Sequence, residues 1–293
     1  MSDLEVVGTV DVAAGDWSFT ADVGGPADGE LVLFLHGFPQ SRYSWRHEIA
    51  ALAARGYQVC APDQRGYSAG ARPAGVDAYR LEHLVDDVLA IARARGHERF
   101  HLVGHDWGGQ VAWVVAARHP KAVRSLTIVS RPHPAAFLEA MRDDAAQASR
   151  SGHHRSFLRP EATDELLADG AAALRDLYRR SHVAEADADA YLELLGGRDA
   201  LDAAVNWYRA VRRSPVAAEP VGAITCPVLY VWGTDDATVG RVAASATGAH
   251  VEGRYRFVEL PGVGHFVTDE VPGALTPLLI DHLASVPVST PAP

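Results

Sequence analysis

Gly-His-Asp-Trp-Gly-Gly, at residues 104–109, has the form of a sharp turn that joins a β-strand to an α-helix. A largely apolar run, residues 100–103, precedes the turn, and a helical run, residues 110–118, follows it. Small residues flank such a turn because one side chain stands exposed on a strained backbone, with neighbouring chain packed closely against it. The stretch therefore predicts a nucleophile elbow with Asp106 at its tip.

An aspartate at the tip restricts the chemistry, because serine is the usual nucleophile in such a turn. A carboxylate gains nothing by attacking an ester, but it can displace a leaving group from saturated carbon. The product is an alkyl ester on the enzyme, which water then hydrolyses. Asp106 thus points to epoxides or alkyl halides as substrates and away from esters.

Buried strands alternate with amphipathic helices on both sides of the elbow. A continuous apolar run marks a strand that is covered on both faces, as in a parallel sheet. Such runs occur at residues 31–35, 57–62, 100–104, 125–130, 228–232 and 255–260. With helices between them, they predict a doubly wound α/β sheet that binds ligands at the carboxyl ends of its strands.

The alternation stops between about residues 132 and 220, a stretch rich in alanine and charged residues with no convincing strand. We predict a helical cap at 132–216, inserted after strand six. Residues 1–131 and 217–293 then form the core domain.

Composition favours an acidic, globular enzyme without macromolecular partners. The 293 residues are 48% hydrophobic and 22% charged, with a net charge of −10, which argues against nucleic acid and anionic membranes. The first residues lack a signal-peptide pattern, and no run approaches a membrane span, so we expect a cytoplasmic location. Lys121 is the only lysine among many arginines, a bias typical of GC-rich bacterial genomes. No cofactor or metal is implied.

The elbow needs a base that activates water and an acid that orients the base. Asp235 and Asp236 follow a buried strand, and His265 follows the last strand in a glycine-rich loop. We expect His265 to deprotonate water and Asp236 to orient it, with Asp235 as the competing acid. The order nucleophile, acid, histidine is that of strand-end triads.

Backbone N–H groups are expected to complete the site. Phe38 follows the first buried parallel strand, and its N–H can point toward the elbow. Trp107 directly follows the nucleophile at the start of a helix, so its N–H is the second candidate for an oxyanion hole.

A cap tyrosine supplies the acid that the elbow lacks. Apolar residues at helical spacing place Tyr208 on the inward face of its helix. A phenol there can donate to an epoxide oxygen as the ring opens.

The chain resembles the α/β-hydrolase superfamily and, within it, the soluble epoxide hydrolase branch, which is related to haloalkane dehalogenases. The resemblance lies in residues 36–39 with 43–46, in the elbow 104–109, and in the Asn-Trp-Tyr-Arg stretch 206–209. It implies a mostly parallel eight-stranded sheet flanked by helices, with an inserted helical cap. It also implies the roles given above for the elbow, the histidine and Tyr208, and it favours Asp236 as the orienting acid.

One departure concerns the cap. Epoxide hydrolases of this branch usually bring two tyrosines to the epoxide oxygen, and no tyrosine stands where the first is expected. His153 or His154 could replace it as a substrate-binding residue, Tyr208 could act alone, or Tyr178 or Tyr191 could approach from elsewhere. Another three-membered ring, such as an aziridine, is then an alternative substrate.

Our hypothesis is an epoxide hydrolase that acts on a small apolar epoxide with water, as a monomer or homodimer. A haloalkane or haloacid dehalogenase is the main alternative. Its second halide donor is commonly an asparagine where Phe38 stands, and haloacid enzymes place arginines after the nucleophile, where Trp107 and Gln110 stand. A non-catalytic ligand-binding protein is disfavoured because no member of the triad is missing.

Overall fold

The computed structural model describes residues 7–287, apart from the side chain of His153. Its strands are β1 (Gly8–Ala14), β2 (Trp17–Gly24), β3 (Leu31–Leu35), β4 (Gln58–Pro62), β5 (Phe100–His105), β6 (Val123–Val129), β7 (Val228–Gly233) and β8 (Tyr255–Leu260). Its α-helices are α1 (Arg46–Ala53), α2 (Leu81–Ala94), α3 (Asp106–Arg118), α4 (Pro134–Asp143), α5 (Ala145–Arg150), α6 (His153–Phe157), α7 (Ala162–Arg180), α8 (Glu185–Leu195), α9 (Arg198–Ala210), α10 (Pro215–Ala218), α11 (Arg241–Ala246), α12 (Val267–Glu270) and α13 (Pro272–Ala284).

The eight strands form one sheet in the order β1-β2-β4-β3-β5-β6-β7-β8. Strands β3 to β8 run parallel to one another, whereas β2 pairs antiparallel with both β4 and β1, which forms the edge. The predicted mostly parallel eight-stranded sheet, flanked by helices, is confirmed.

Helices cover both faces of the sheet, which explains why the central strands are apolar throughout. In β3, Leu33 and Leu35 belong to the core on the side of α2 and α3. Val32 and Phe34 belong to a second core on the side of α1 and α13. Each central strand therefore lacks a solvent face, and its polar ends meet at the carboxyl edge of the sheet.

The segment between β6 and β7 consists of helices α4 to α10 and contains no strand in the part of the chain that the structure describes. Helix α10 crosses the expected boundary at residue 216. Ile224 then forms an isolated β-bridge with Val251, and the chain rejoins the sheet at β7. Side chains tie this segment to the sheet: Trp207 Nε1 donates to the carbonyl of Arg65 at 2.9 Å.

No helix between residues 7 and 287 has the length and apolar character needed to cross a bilayer. The same residues hold no group of three or more histidine, cysteine, aspartate or glutamate side chains arranged to bind a metal ion.

Candidate active site

Asp106 stands at the junction of β5 and α3 with φ of 48°, in the left-handed region that an aspartate rarely adopts. The elbow is possible because the residues at 104, 108 and 109 are glycines. A Cβ on Gly108 would lie 2.2 Å from the carbonyl oxygen of Leu35. The chain around the elbow is thus packed backbone against backbone, and the strained aspartate is held there by its surroundings.

Two groups from other elements reach the Asp106 carboxylate. The N–H of Phe38, which follows β3, donates to Asp106 Oδ1 at 3.0 Å. His265 Nε2, in the loop after β8, lies 3.6 Å from Asp106 Oδ2. Trp107 begins the first turn of α3, where a backbone N–H has no acceptor within the helix.

Asp236 lies on the far side of His265. Its Oδ2 is 2.9 Å from His265 Nδ1, so the imidazole stands between two carboxylates. Its Oδ1 accepts from the N–H groups of Thr238 and Val239 at 2.7 and 2.9 Å. Asp235 instead accepts a hydrogen bond from Thr234. The carboxylate beside the imidazole is therefore that of Asp236.

The two carboxylates control the charge of His265. Burial would lower the pKa of His265, but Asp236 and Asp106 outweigh it and raise that pKa to about 10. Burial would likewise raise the pKa of Asp106, yet contact with the His265 cation holds it well below its usual range. At neutral pH the pair is an imidazolium and a carboxylate.

Two neighbours of His265 were missed by sequence reasoning. The hydroxyl of Thr238 lies 2.8 Å from both Asp236 Oδ1 and His265 Nδ1. His105 Nε2 lies 2.9 Å from the carbonyl oxygen of His265. Thr238 carries no sequence signal, whereas His105 could have been suspected from its place beside the elbow.

Tyr208 lies in α9 over the elbow and is buried. Its ring contacts those of Trp107 and Phe38 edge to face, with centroids 4.9 and 5.4 Å apart. Burial and then the Asp106 charge raise the pKa of Tyr208 well above its usual value, while a hydrogen bond from Trp107 and the charge of Arg131 oppose the rise. The phenol therefore keeps its proton at neutral pH.

The structure distinguishes three of the four candidates for a second hydrogen-bond donor beside Tyr208 by the groups that their side chains contact. The ring centroid of His154, in α6, lies 5.4 Å from that of Tyr208. His153 begins the same helix, and its side chain lies outside the described part of the structure. The hydroxyl of Tyr178 donates to the carbonyl of Pro39, and that of Tyr191 to Asp269. The last two hydroxyls are thus engaged away from the elbow.

A cavity of about 550 Å³ adjoins this arrangement. Trp107, Tyr208 and His154 line it, as do Gln110 and Arg131, although Asp106 is not among its lining residues. Arg131 was missed by sequence reasoning. The signal existed, because Arg131 comes just after β6, and the strand-end rule had already selected Asp106, Asp236 and His265.

The chain is similar in sequence and in fold to known α/β hydrolases. Residues 30–272 match the family model for the alpha/beta hydrolase fold. The chain is 33% identical to the AB hydrolase superfamily protein YfhM of Bacillus subtilis, over 88% of this chain and 92% of that protein. It is 30% identical to epoxide hydrolase A of Mycobacterium tuberculosis, over 89% and 92%. A solved epoxide hydrolase of Bacillus megaterium, in complex with an inhibitor, superimposes with a TM-score of 0.86 at 25% identity, over 94% of this chain and 100% of that chain.

Proposed function

This chain belongs to the α/β-hydrolase superfamily and to its epoxide hydrolase-like branch, and within that branch we propose that it opens epoxides to vicinal diols through an alkyl ester on Asp106. The observation that carries the proposal is the environment of Asp106, with the Phe38 N–H at 3.0 Å and His265 Nε2 at 3.6 Å. A hydrolase of this kind needs a carboxylate nucleophile and a separate base for water, and the site offers both.

In the first step Asp106 attacks an epoxide carbon, and the bond from that carbon to the ring oxygen breaks. Tyr208 gives its proton to the oxygen, and His154, whose ring lies beside that of Tyr208 in the cavity lining, assists it. A general acid is required here because an alkoxide is a poor leaving group, and such an acid contributes about 10²–10⁴-fold in rate. The product is a neutral hydroxyalkyl ester of Asp106.

Ester formation also changes the protonation state of His265. Loss of the Asp106 charge removes one cause of the raised pKa of His265, so the imidazolium releases its proton, which restores the Tyr208 hydroxyl. His265 is then neutral, and Asp236 holds its Nδ1–H toward the carboxylate. It becomes a base only once there is an ester to hydrolyse.

In the second step His265 takes a proton from water, and the hydroxide adds to the carbonyl carbon of the ester. The N–H groups of Phe38 and Trp107 stabilise the oxyanion. Its collapse breaks the bond between the carbonyl carbon and the alkoxy oxygen, and the departing alkoxide takes the proton of the new carboxyl group. The diol leaves, and the carboxylate–imidazolium pair is restored.

We also propose that the helical segment 132–216 acts as a cap over the core formed by residues 1–131 and 217–293. Tyr208 in α9 and His154 in α6 both come from this segment, whereas the nucleophile, the base and its acid come from the core. The cap would then supply the acid for ring opening and the shape of the substrate cavity.

Trapping the ester tests this scheme directly. In His265→Gln the second step should slow by about 100-fold or more, because a general base is lost. Incubation with styrene oxide should then increase the intact mass by one substrate, on a peptide containing Asp106. Asp106→Asn is the matched control and should gain no mass.

Retained turnover by His265→Gln without an adduct would contradict the mechanism. Release of chloride or bromide from haloalkanes or haloacids, with no diol from any epoxide, would replace it with the dehalogenase alternative.

A further inference from the structure

The guanidinium of Arg131 faces the cavity beside the elbow. The charge of Asp106 acts on it through space, but among the described residues no carboxylate lies within ion-pair distance of it. Its Nε and Nη2 donate to the side-chain oxygen of Gln110 at 3.1 and 2.7 Å, and its Cζ lies 4.5 Å from the ring centroid of Phe137. Within residues 7–287 its Nη1 makes no hydrogen bond, and the group forms no ion pair with a carboxylate. A positively charged donor is thus held in place with one nitrogen available to a ligand.

Several other arginines with mostly buried side chains are paired with acids, whereas the partly buried Arg72 donates to the backbone carbonyls of Gly66 and Tyr67. Arg42, Arg46, Arg65 and Arg124 each have a carboxylate oxygen within 3.0 Å. Burying a guanidinium without such a partner costs free energy that hydrogen bonds to a neutral amide offset only in part. A site of this kind is completed when an anion binds to it.

Positive groups outnumber negative ones along the cavity. Four arginines and two glutamates line it, namely Arg131, Arg142, Arg155, Arg212, Glu139 and Glu219. Glu219 is paired with Arg118 and Arg142 with Asp143, so one group of each sign is neutralised. The cavity therefore has two more positive than negative groups, in a protein whose net charge is −10. A local positive field in an acidic protein attracts anions to that cavity.

Arg131 also lies close to the nucleophile. Gln110 follows Asp106 by four positions in α3, so it lies on the same helix face about 6 Å further along the axis. The guanidinium contacts the side chain of Gln110. A short molecule can thus place one end at Asp106 and the other at Arg131.

We propose that Arg131 binds a carboxylate of the substrate, so that this protein acts on epoxides of short carboxylic acids. The inference rests on the proposed hydrolysis at Asp106 and replaces the expectation of an apolar epoxide. The planar guanidinium offers paired N–H donors that match the two oxygens of a carboxylate. Gln110 sets the angle of the guanidinium, and Phe137 supports its face.

Matched substrates test the inference in the wild-type protein. The pair 3,4-epoxybutanoate and 3,4-epoxybutanamide shares ring, chain length and shape and differs in charge. The kcat/KM for diol formation should be about 10- to 100-fold higher for the carboxylate, since a charge-assisted hydrogen bond is worth that factor. Equal values for the two substrates would overturn the inference while leaving epoxide hydrolysis in place.

Variants assign the preference to Arg131. In Arg131→Gln the ratio of the two kcat/KM values should fall to one or below, because the Asp106 charge then repels the carboxylate. Arg131→Lys keeps the charge without the planar fork and should retain part of the ratio. Arg175→Gln, at an exposed arginine of α7, is the control and should keep the wild-type ratio. A wild-type ratio in folded Arg131→Gln would contradict the assignment.

Binding of unreactive probes separates this inference from the proposed function. Calorimetry should show that butanoate binds the wild-type protein at least 10-fold more tightly than butanamide does, and that Arg131→Gln loses the difference. This result would stand even if neither epoxide were hydrolysed, which would refute only the chemistry. Equal binding of the two probes to the wild-type protein would refute the carboxylate site.

Discussion

The imidazole of His265 is the residue on which the site depends most, because two carboxylates contact it from opposite sides. Asp236 lies 2.9 Å from Nδ1 and Asp106 lies 3.6 Å from Nε2. Either carboxylate alone favours the imidazolium, and together they overcome the effect of burial. The charge of this one ring therefore depends on whether Asp106 carries a negative charge.

This dependence predicts the pH behaviour of the ring. In the folded protein the pKa of His265 is raised to about 10 from an ordinary value of 6.5. Its charge thus contributes stability that is complete below about pH 6.5 and is lost as the pH rises through about 10. Histidine ring signals followed by NMR should place the titration of His265 near 10 in the wild-type protein and lower in Asp106→Asn. Titration near 6.5 in both proteins would contradict the coupling.

The hydroxyl of Thr238 positions the same ring. It lies 2.8 Å from Asp236 Oδ1 and from His265 Nδ1, and so joins the acid to the base. Thr238→Val should slow ester hydrolysis by roughly 10-fold, the effect of losing one hydrogen bond in a network. Ring opening should be affected less, because Thr238 does not contact Asp106.

Rapid-quench kinetics can separate the two steps. The expected signature in Thr238→Val is a larger burst of alkylated enzyme, with recovery in Thr238→Ser, which restores the hydroxyl. Equal slowing of both steps would indicate a general packing defect instead.

At the scale of elements, three backbone segments contact one another at the elbow, namely β3, β5 and the first turn of α3. Gly108 allows α3 to touch the end of β3, since a Cβ there would lie 2.2 and 2.4 Å from the carbonyl atoms of Leu35. These atoms of Leu35 belong to the backbone, so they cannot rotate away as the end of a side chain could. The strand end that carries Phe38 is thereby held next to Asp106.

Gly108→Ala should therefore lower the free energy of unfolding by roughly 3 kcal/mol, the upper range for overpacking, and abolish turnover. Gly273→Ala in α13 is the matched control, because its Cβ meets no atom within 4 Å. That change should be neutral or slightly stabilising. Urea unfolding of both variants provides the measurement, and equal effects would contradict the close-packing argument.

At the scale of the whole molecule, the helical segment is bound to the sheet core through a buried carboxylate. Asp269, in α12, accepts from Gln40 and from Arg46 at 2.7 and 3.0 Å. It also accepts from the hydroxyl of Tyr191, in α8, at 2.8 Å. With a side chain only 1% exposed, Asp269 joins three distant parts of the chain.

Asp269→Asn should consequently lower the free energy of unfolding by about 3 kcal/mol, since it leaves the largely buried Arg46 with one carboxylate fewer. Arg46 also pairs with the more exposed Asp187, and Asp187→Asn should cost under about 1 kcal/mol. Limited proteolysis should cut residues 132–216 faster in Asp269→Asn only. Similar sensitivity of the two variants would show that this carboxylate does not hold the segment in place.

Part of the fold follows from local pattern. Apolar runs, glycines at 104, 108 and 109, and the strand–helix alternation were enough to predict a doubly wound α/β sheet, because the periodicity of neighbouring residues is displayed directly by a sequence. The eight strands and the hydrolase superfamily were implied by the resemblance of residues 36–39, 43–46, 104–109 and 206–209 to soluble epoxide hydrolases. The apolar runs also placed Asp106 and His265 at strand ends, because the carboxyl ends of parallel strands share one edge.

Side-chain direction needed the tertiary structure. Asp235 and Asp236 are adjacent in sequence, yet only Asp236 lies beside His265. Among the cap candidates, Tyr178 and Tyr191 bond elsewhere. Such outcomes depend on how elements distant in the chain pack together, and local periodicity does not encode them.

The same reason explains the cation beside the elbow. Nothing in the sequence links Arg131, after β6, to Gln110, four residues beyond the nucleophile. Packing of α3 against the end of β6 brings their side chains within 2.7 Å. The sequence by itself determined the proposed nucleophile, an aspartate on a strand-to-helix turn. The tertiary structure alone decided which charges surround the cavity beside it, because that depends on contacts between residues far apart in the chain.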